Sequence, residues 1–336
     1  MTKAFSLMGV VLVLGLCLVY GSPAEGTMPR IVGGYTAISA SMSGMWVAKE
    51  ANLFEKYGID VSIVYLAAST KMTAAMMGGS IHIAAMGATG ILMANLQGAD
   101  LLLIASTVNK SPFVMMVQPN IKTPTDLKGK VIGMTRRGSS GDFSARAALR
   151  IWGMDPERDV KHIQTGGLPE TLAAMKIGMI DAAPMTHPTA TLARKAGLHE
   201  LIDLADLPIE YGHTSIGASR RFLEEHEREA KAFLKAYVEG LYYFRANRDF
   251  GMKTIGKYAR TGDQDVLAEA YERYAHKYMQ IPPKLHPRTI KAMLEQLSVT
   301  FPEARTGNPQ RFFQAQFMED LEKDGFLQTL EKSYRR

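Results

Sequence analysis

Residues 136–142 read Arg-Arg-Gly-Ser-Ser-Gly-Asp, the stretch whose residue types most plainly suit binding. A Gly/Ser loop running into a helix presents free backbone N–H groups and the positive end of the helix dipole, which together favour an anion. Arg136, Ser139, Ser140 and Gly141 are its candidate contacts. The same letters also fit an ordinary helix start, since Ser139 with Asp142 three residues on resembles a capping box. The Asp142 carboxylate would weaken an anion site.

Similar short polar clusters follow other apolar runs. Ser41 and Ser43, Ser69 and Thr70, Gly87 with Ala88 and Thr89, and Asn109 lie in the first part of the chain. Gly167, Met185 and His187 lie in the second. Ser and Thr at such places are N-caps as readily as ligand contacts. His187 is a candidate donor or pH-sensitive contact, or else a packing residue. Met185, one of 21 methionines, would supply a soft apolar wall suited to a ligand with an organic body. His82, inside an apolar run, reads as structural. No His, Cys, Asp or Glu group has metal-ligand spacing and no carboxylate pair suggests acid–base chemistry, so neither metal nor cofactor is expected.

One string points elsewhere. Arg30-Ile-Val-Gly-Gly34 matches the mature start of many secreted serine proteases. The rest of such a protease is missing: no Gly-Asp-Ser-Gly-Gly, no matching histidine context and no cysteine pairs. The string reads instead as a first β-strand.

At 336 residues the chain is long enough for two domains, and 46% hydrophobic with 21% charged residues is ordinary for a globular protein. Lys3, an apolar run of about 13 residues and the small residues Ser22 and Ala24 form a secretory signal, with cleavage expected after Ala24. Cys17, the one cysteine, lies inside this signal. Leu16 before it is too bulky for a lipid-attachment site, so a soluble periplasmic protein is expected rather than a lipoprotein. Without Lys3 the formal charge falls from +6 to +5. Its basic residues alternate with acids on helices, which argues against nucleic-acid binding.

These residues need elements to hold them. From Arg30 the periodicity runs strand, helix, strand, helix, strand, helix, strand, the grammar of βαβ crossovers. A long helix is expected from about Ser41 to Gly58, capped by Ser41 or Ser43, and Ser69 or Thr70 should cap the next. The alternation repeats over 118–213, and a helical series follows Arg220, broken at Gly251 among other places. The fold class read from this is α/β, with two mixed, mostly parallel sheets, flanking helices and a two-strand hinge. Lobe 1 would comprise 30–117 and 214–336, lobe 2 residues 118–213, and 1–24 the signal peptide. Ligands of open α/β sheets bind beyond the carboxyl ends of the strands, so facing lobes make a cleft.

The stretches "MWVAKEANLFEKYGIDV", "GGSIHIAAMGATG", "KTPTDLKGKVIGM" and "GMIDAAPM" resemble the periplasmic substrate-binding proteins of ABC importers. The branch is the one serving nitrate, taurine, alkanesulfonates and thiamine precursors. The resemblance runs from Ile31 to about Tyr334 and implies the two-lobed type II fold, with a small-molecule ligand at the hinge and a membrane permease as partner. It implies a non-enzymatic monomer trapping a small organic anion, sulfonate- or carboxylate-like. A thiamine pyrimidine precursor is the rival ligand. Some relatives are enzymes such as desulfinases, but the reactive cysteine expected for that chemistry is lacking outside the signal.

Overall fold

A computed structural model describes residues 27–335. The expected signal peptide and Cys17 lie outside the described residues. Among the described residues, ten strands form two five-stranded sheets. The first contains β1 (Arg30–Tyr35), β2 (Asp60–Tyr65), β3 (Ile83–Met86) and β4 (Leu101–Lys110). The chain then crosses over 111–113 to build β5 (Val114–Val117), β6 (Val131–Met134), β7 (Lys161–Gln164), β8 (Ala182–Met185) and β9 (His199–Asp203). It returns through 204–209 to β10 (Glu210–Ser219), which joins the first sheet.

The orders are β2-β1-β3-β10-β4 and β7-β6-β8-β5-β9. Counting only the four strands that share a direction, each sheet places the second at the edge, then the first and third, then the reversed strand, then the fourth. The reversed strands, β10 and β5, are the ones entering just after a crossing, and they pair antiparallel on both sides. Four of the five strands in each sheet point the same way, so the carboxyl ends of both sets gather where the chain crosses. The crossings fall a few residues before the expected 117/118 and 213/214 boundaries, because β5 and β10 each belong to the sheet the chain is entering.

Buried apolar side chains explain the layers. Strands such as Leu101-Leu-Leu-Ile104 are covered on both faces and read as continuous apolar runs. The amphipathic helix Glu227–Ala246 lays Phe233, Leu234, Tyr237 and Leu241 on the first sheet's helical layer. It crosses Ser43–Glu50 so closely that a Cβ on Gly240 would stand 2.5 Å from the Gly44 carbonyl oxygen.

Four local expectations differ from the structure. The helix after Ser41 is split into Ser43–Glu50 and Leu53–Lys56, because Asn52 takes the left-handed conformation at φ 53°. Neither Ser41 nor Ser43 caps it; Ser39 caps the preceding short turn by accepting from Ser41 N–H at 3.3 Å. Ser69 is the first residue of Ser69–Met77 rather than its cap, which is Ala68 at φ 72°. Gly251 does not break the helical series but lies inside Arg248–Ala259, where it lets Tyr271 and Phe244 approach. Strand β9 has no counterpart in the sequence reading, being short, half exposed and charged.

Candidate functional site

A narrow cleft with about 40 Å³ of free space, partly open to solvent, lies between the carboxyl ends of the two sheets. From the first sheet's side, Thr36 and Ala37 extend β1, Tyr65 ends β2, and Ala68 and Ser69 begin the next helix. Met42 reaches in from the short turn before Ser43. The opposite wall has Thr135 after β6, Ser139 to Gly141 at the start of Ser140–Ile151, Leu168 at a helix start, and Pro184 and Thr186 around β8. Phe113 comes from the first crossing and His213 from β10, shortly after the second. Every element delivers its residue from the end that the parallel strands converge on, as expected for open α/β sheets.

No Lys, Arg, Asp or Glu is among the lining residues. The polar character comes from hydroxyls, one histidine and helix N-termini. Ser69–Met77 and Leu168–Lys176 start without a side-chain cap, which leaves backbone N–H groups at the cleft. At Ser140–Ile151, Ser139 Oγ accepts from Asp142 N–H at 3.4 Å and from Thr135 Oγ1–H at 3.0 Å. The Asp142 carboxylate turns away: it accepts Gly138 N–H at 2.7 Å and the Arg146 guanidinium at 2.6 Å. Its charge is therefore paired with Arg146 and is absent from the cleft lining, although it stays in the first turn of the helix. Met42, Phe113, Leu168 and Pro184 give an apolar wall beside these donors.

Of the residues singled out in the sequence, Ser69, Ser139, Ser140 and Gly141 line this cleft. Gly87 stands at its edge, where an added Cβ would collide with Ser140 Oγ and come within 2.7 Å of Tyr211 Oη. Thr89 shares a hydrogen bond with that tyrosine at 3.1 Å. Ala88 is buried core beside them, and Thr70 is half-buried one residue into its helix. Gly167 is the N-cap before Leu168, and its added Cβ would be 3.4 Å from Tyr65 Oη across the cleft. Met185 packs in the second sheet's core. Ser41 and Ser43 are fully buried behind Met42. Asn109 is away from the lining set, donating to Gln280 Oε1 at 3.1 Å and to the Lys284 carbonyl at 2.9 Å. Arg136 is also absent from the lining; its Nε is buried without a partner.

His187 serves contact between the two halves. Its carbonyl accepts Ala40 N–H at 3.1 Å, and its Nδ1 meets Thr191 Oγ1 at 2.7 Å, which in turn donates to Glu269 at 3.1 Å. Burial holds its imidazole below the ordinary histidine range, with Glu269 opposing.

Two buried tyrosines flank the cleft and tie its walls. Tyr211 Oη interacts with Thr89 of one half and Ser140 of the other, and burial raises it to about 12. Tyr274 Oη bonds Ser39 Oγ at 3.2 Å and reaches toward Thr186. Sequence reasoning missed His213, Phe113 and Thr36; Thr186 lies between Met185 and His187, inside a stretch it did single out. His213 carried a signal, a lone histidine in an apolar strand next to a crossing segment. Its ring is 3% exposed, and burial lowers it to about 3.

The sequence model of a family described as NMT1/THI5 like matches residues 39–249. A Brucella abortus protein, provisionally named a binding protein, is 28% identical over 241 residues, covering 70% of this chain and 74% of its own length. The periplasmic aliphatic sulphonate binding protein SsuA of Escherichia coli superposes with TM-score 0.66 at 22% identity, covering 85% of this chain and 92% of that one. The periplasmic nitrate-binding protein NrtA of Synechocystis PCC 6803 superposes with TM-score 0.74 at 14% identity, covering 88% and 89%. These likenesses show a shared periplasmic-binding-protein fold.

Proposed function

The chain belongs to the NMT1/THI5-like family, and from that premise we propose that it is the extracytoplasmic solute-binding component of an ABC importer. It acts as a monomer, is exported to the periplasm by a cleaved N-terminal signal, and passes its ligand to a membrane permease. It performs no chemistry on that ligand. The solved neighbours named above are binding proteins, which supports this reading.

The observation that carries the proposal is the cleft itself. Its two walls come from different sheets, and each wall ends in uncapped or hydroxyl-bearing helix starts. A guest touching both walls is held only while they face each other, so it shifts the molecule toward closure. The lining favours a small organic anion such as a sulfonate or carboxylate. Its head would accept from Ser69, Ser139, Ser140 and nearby backbone N–H groups, while its body packs on Met42, Phe113, Leu168 and Pro184. Helix N-termini stabilise such a head without any fixed cation. Micromolar affinity requires about −8 kcal/mol, within reach of a few such contacts with expulsion of water.

One observation favours a second ligand class. The absence of charged side chains from the lining, with Tyr65 and Phe113 beside the polar groups, also suits a neutral pyrimidine. A thermal-shift screen of sulfonates, carboxylates, nitrate and pyrimidines separates the two, since a true ligand raises Tm by mass action. A shift with sulfonates or carboxylates is expected. A shift only with pyrimidines replaces the ligand class while keeping the carrier, and no shift with any of them contradicts the proposal.

A further inference from the structure

His213 is placed in the cleft by an irregularity in β10. Pairing with β4 slips between Glu210 and Thr214, so Tyr211, Gly212 and His213 fall outside the regular ladder. Such bulges re-aim side chains beside functional sites. Here the ring lies edge-on to Phe113 at 5.0 Å between centroids and lines the cleft. It is only 3% exposed, yet neither Nδ1 nor Nε2 has a hydrogen-bond partner among the described residues. Buried polar atoms without partners are rare and call for an explanation.

The neutral ring has one donor and one acceptor nitrogen. It stays neutral because burial disfavours its charged form and no charged side chain lines the cleft to offset that cost. The other titratable groups near it, Tyr65 on the wall and Tyr211 on its own strand, are both held uncharged by burial. Both nitrogens are sealed from solvent here, so water serves them only when the walls part. A guest that expels it must replace both roles, since a well-ordered water displaced by a group that cannot reproduce its bonds costs affinity. A guest with acceptors alone satisfies the donor nitrogen and leaves the other buried and unpaired.

We infer that His213 selects guests presenting a donor beside an acceptor, such as a hydroxyl or amino group next to a sulfonate, carboxylate or ring nitrogen. Plain anions are discriminated against. This rests on the capture proposal above and narrows its ligand class.

Matched pairs titrated calorimetrically into the purified protein test it. The probes are ethanesulfonate against 2-hydroxyethanesulfonate, propionate against 2-hydroxypropionate, and pyrimidine against 4-aminopyrimidine. In any pair that binds, the donor-bearing member should be tighter by about tenfold, the scale of one unpaired buried group. His213→Phe, lacking both nitrogens, should bring the ratio to within about twofold. His213→Gln, which offers a donor and an acceptor, should keep most of it; circular-dichroism melts confirm that each variant folds. Equal binding of both members, or a preference surviving in folded His213→Phe, overturns the inference while leaving the carrier intact. Binding of none of the six overturns the capture proposal and the inference with it.

Discussion

At the scale of single residues, His213 and His187 are buried in forms that resist protonation. The sign of the consequence follows from linkage. A histidine whose folded pKa is depressed binds fewer protons folded than unfolded, so stability is intact above the unfolded value near 6.5 and declines as pH falls toward the folded one. Between pH 7 and pH 5 each such group should cost about 2 kcal/mol. Thermal melts should show Tm falling over that interval, and His213→Gln should flatten part of the fall. An unchanged slope in the variant would mean that this ring titrates normally. Ser139→Ala removes both the helix cap and a cleft hydroxyl. It should cost about 1 kcal/mol of stability and also weaken ligand binding, separable by melting and by calorimetry. Residues such as Ser69 and Ser139–Gly141 were legible in sequence because they follow apolar runs and begin helices. Phe113 and His213 were not, because a crossing segment, or the irregular start of the strand after it, differs from any apolar strand only through pairings distant in the chain.

At the scale of elements, the repeated strand–helix grammar was visible because periods of 2 and 3.6 alternate cleanly. What escaped it was decided by backbone conformation: the Asn52 break, and the start of Ser69–Met77 at Ala68. Ala68 lines the cleft at φ 72°, ψ 141°, a region costly for any residue with a Cβ. Ala68→Gly relieves that strain and should raise unfolding stability by about 1 kcal/mol, read from denaturant midpoints. A lower midpoint would show that the methyl's packing outweighs its strain. At the helix crossing, Gly240→Ala places a methyl against the Gly44 carbonyl and should destabilise by about 1–3 kcal/mol. Ligand affinity should stay unchanged in the folded fraction, since the crossing lies in the first sheet's helical layer, outside the cleft lining.

At the scale of the whole molecule, the two sheets repeat one strand order and meet at crossings the chain makes twice. Contacts beside the cleft tie the halves together. Lys195 pairs with Asp263 at 2.7 Å, Arg194 with Glu269, and Asp203 with Arg273 at 3.0 Å and Lys277 at 2.7 Å. Most are partly exposed, so each contributes little alone and less in salt. Gly87 is buried against Ser69 and Tyr211 of its own half and Ser140 of the other. Gly87→Ala should therefore hold the halves apart and weaken binding at least tenfold, by about 1.4 kcal/mol or more, with a near-normal melt. Normal affinity in this variant would show that the approach of Gly87 to Ser140 is not needed for capture.

The central claim is that a guest bridges two walls that close on it. Spin labels at Lys71→Cys and Glu170→Cys, exposed in the first turns of the opposing helices Ser69–Met77 and Leu168–Lys176, report the gap by pulsed electron spin resonance in the chain without its signal and therefore without Cys17. The most strongly bound screening compound should narrow and shorten the distance distribution saturably, with one guest per chain. Saturable binding of that compound with an unchanged distance distribution would contradict the claim.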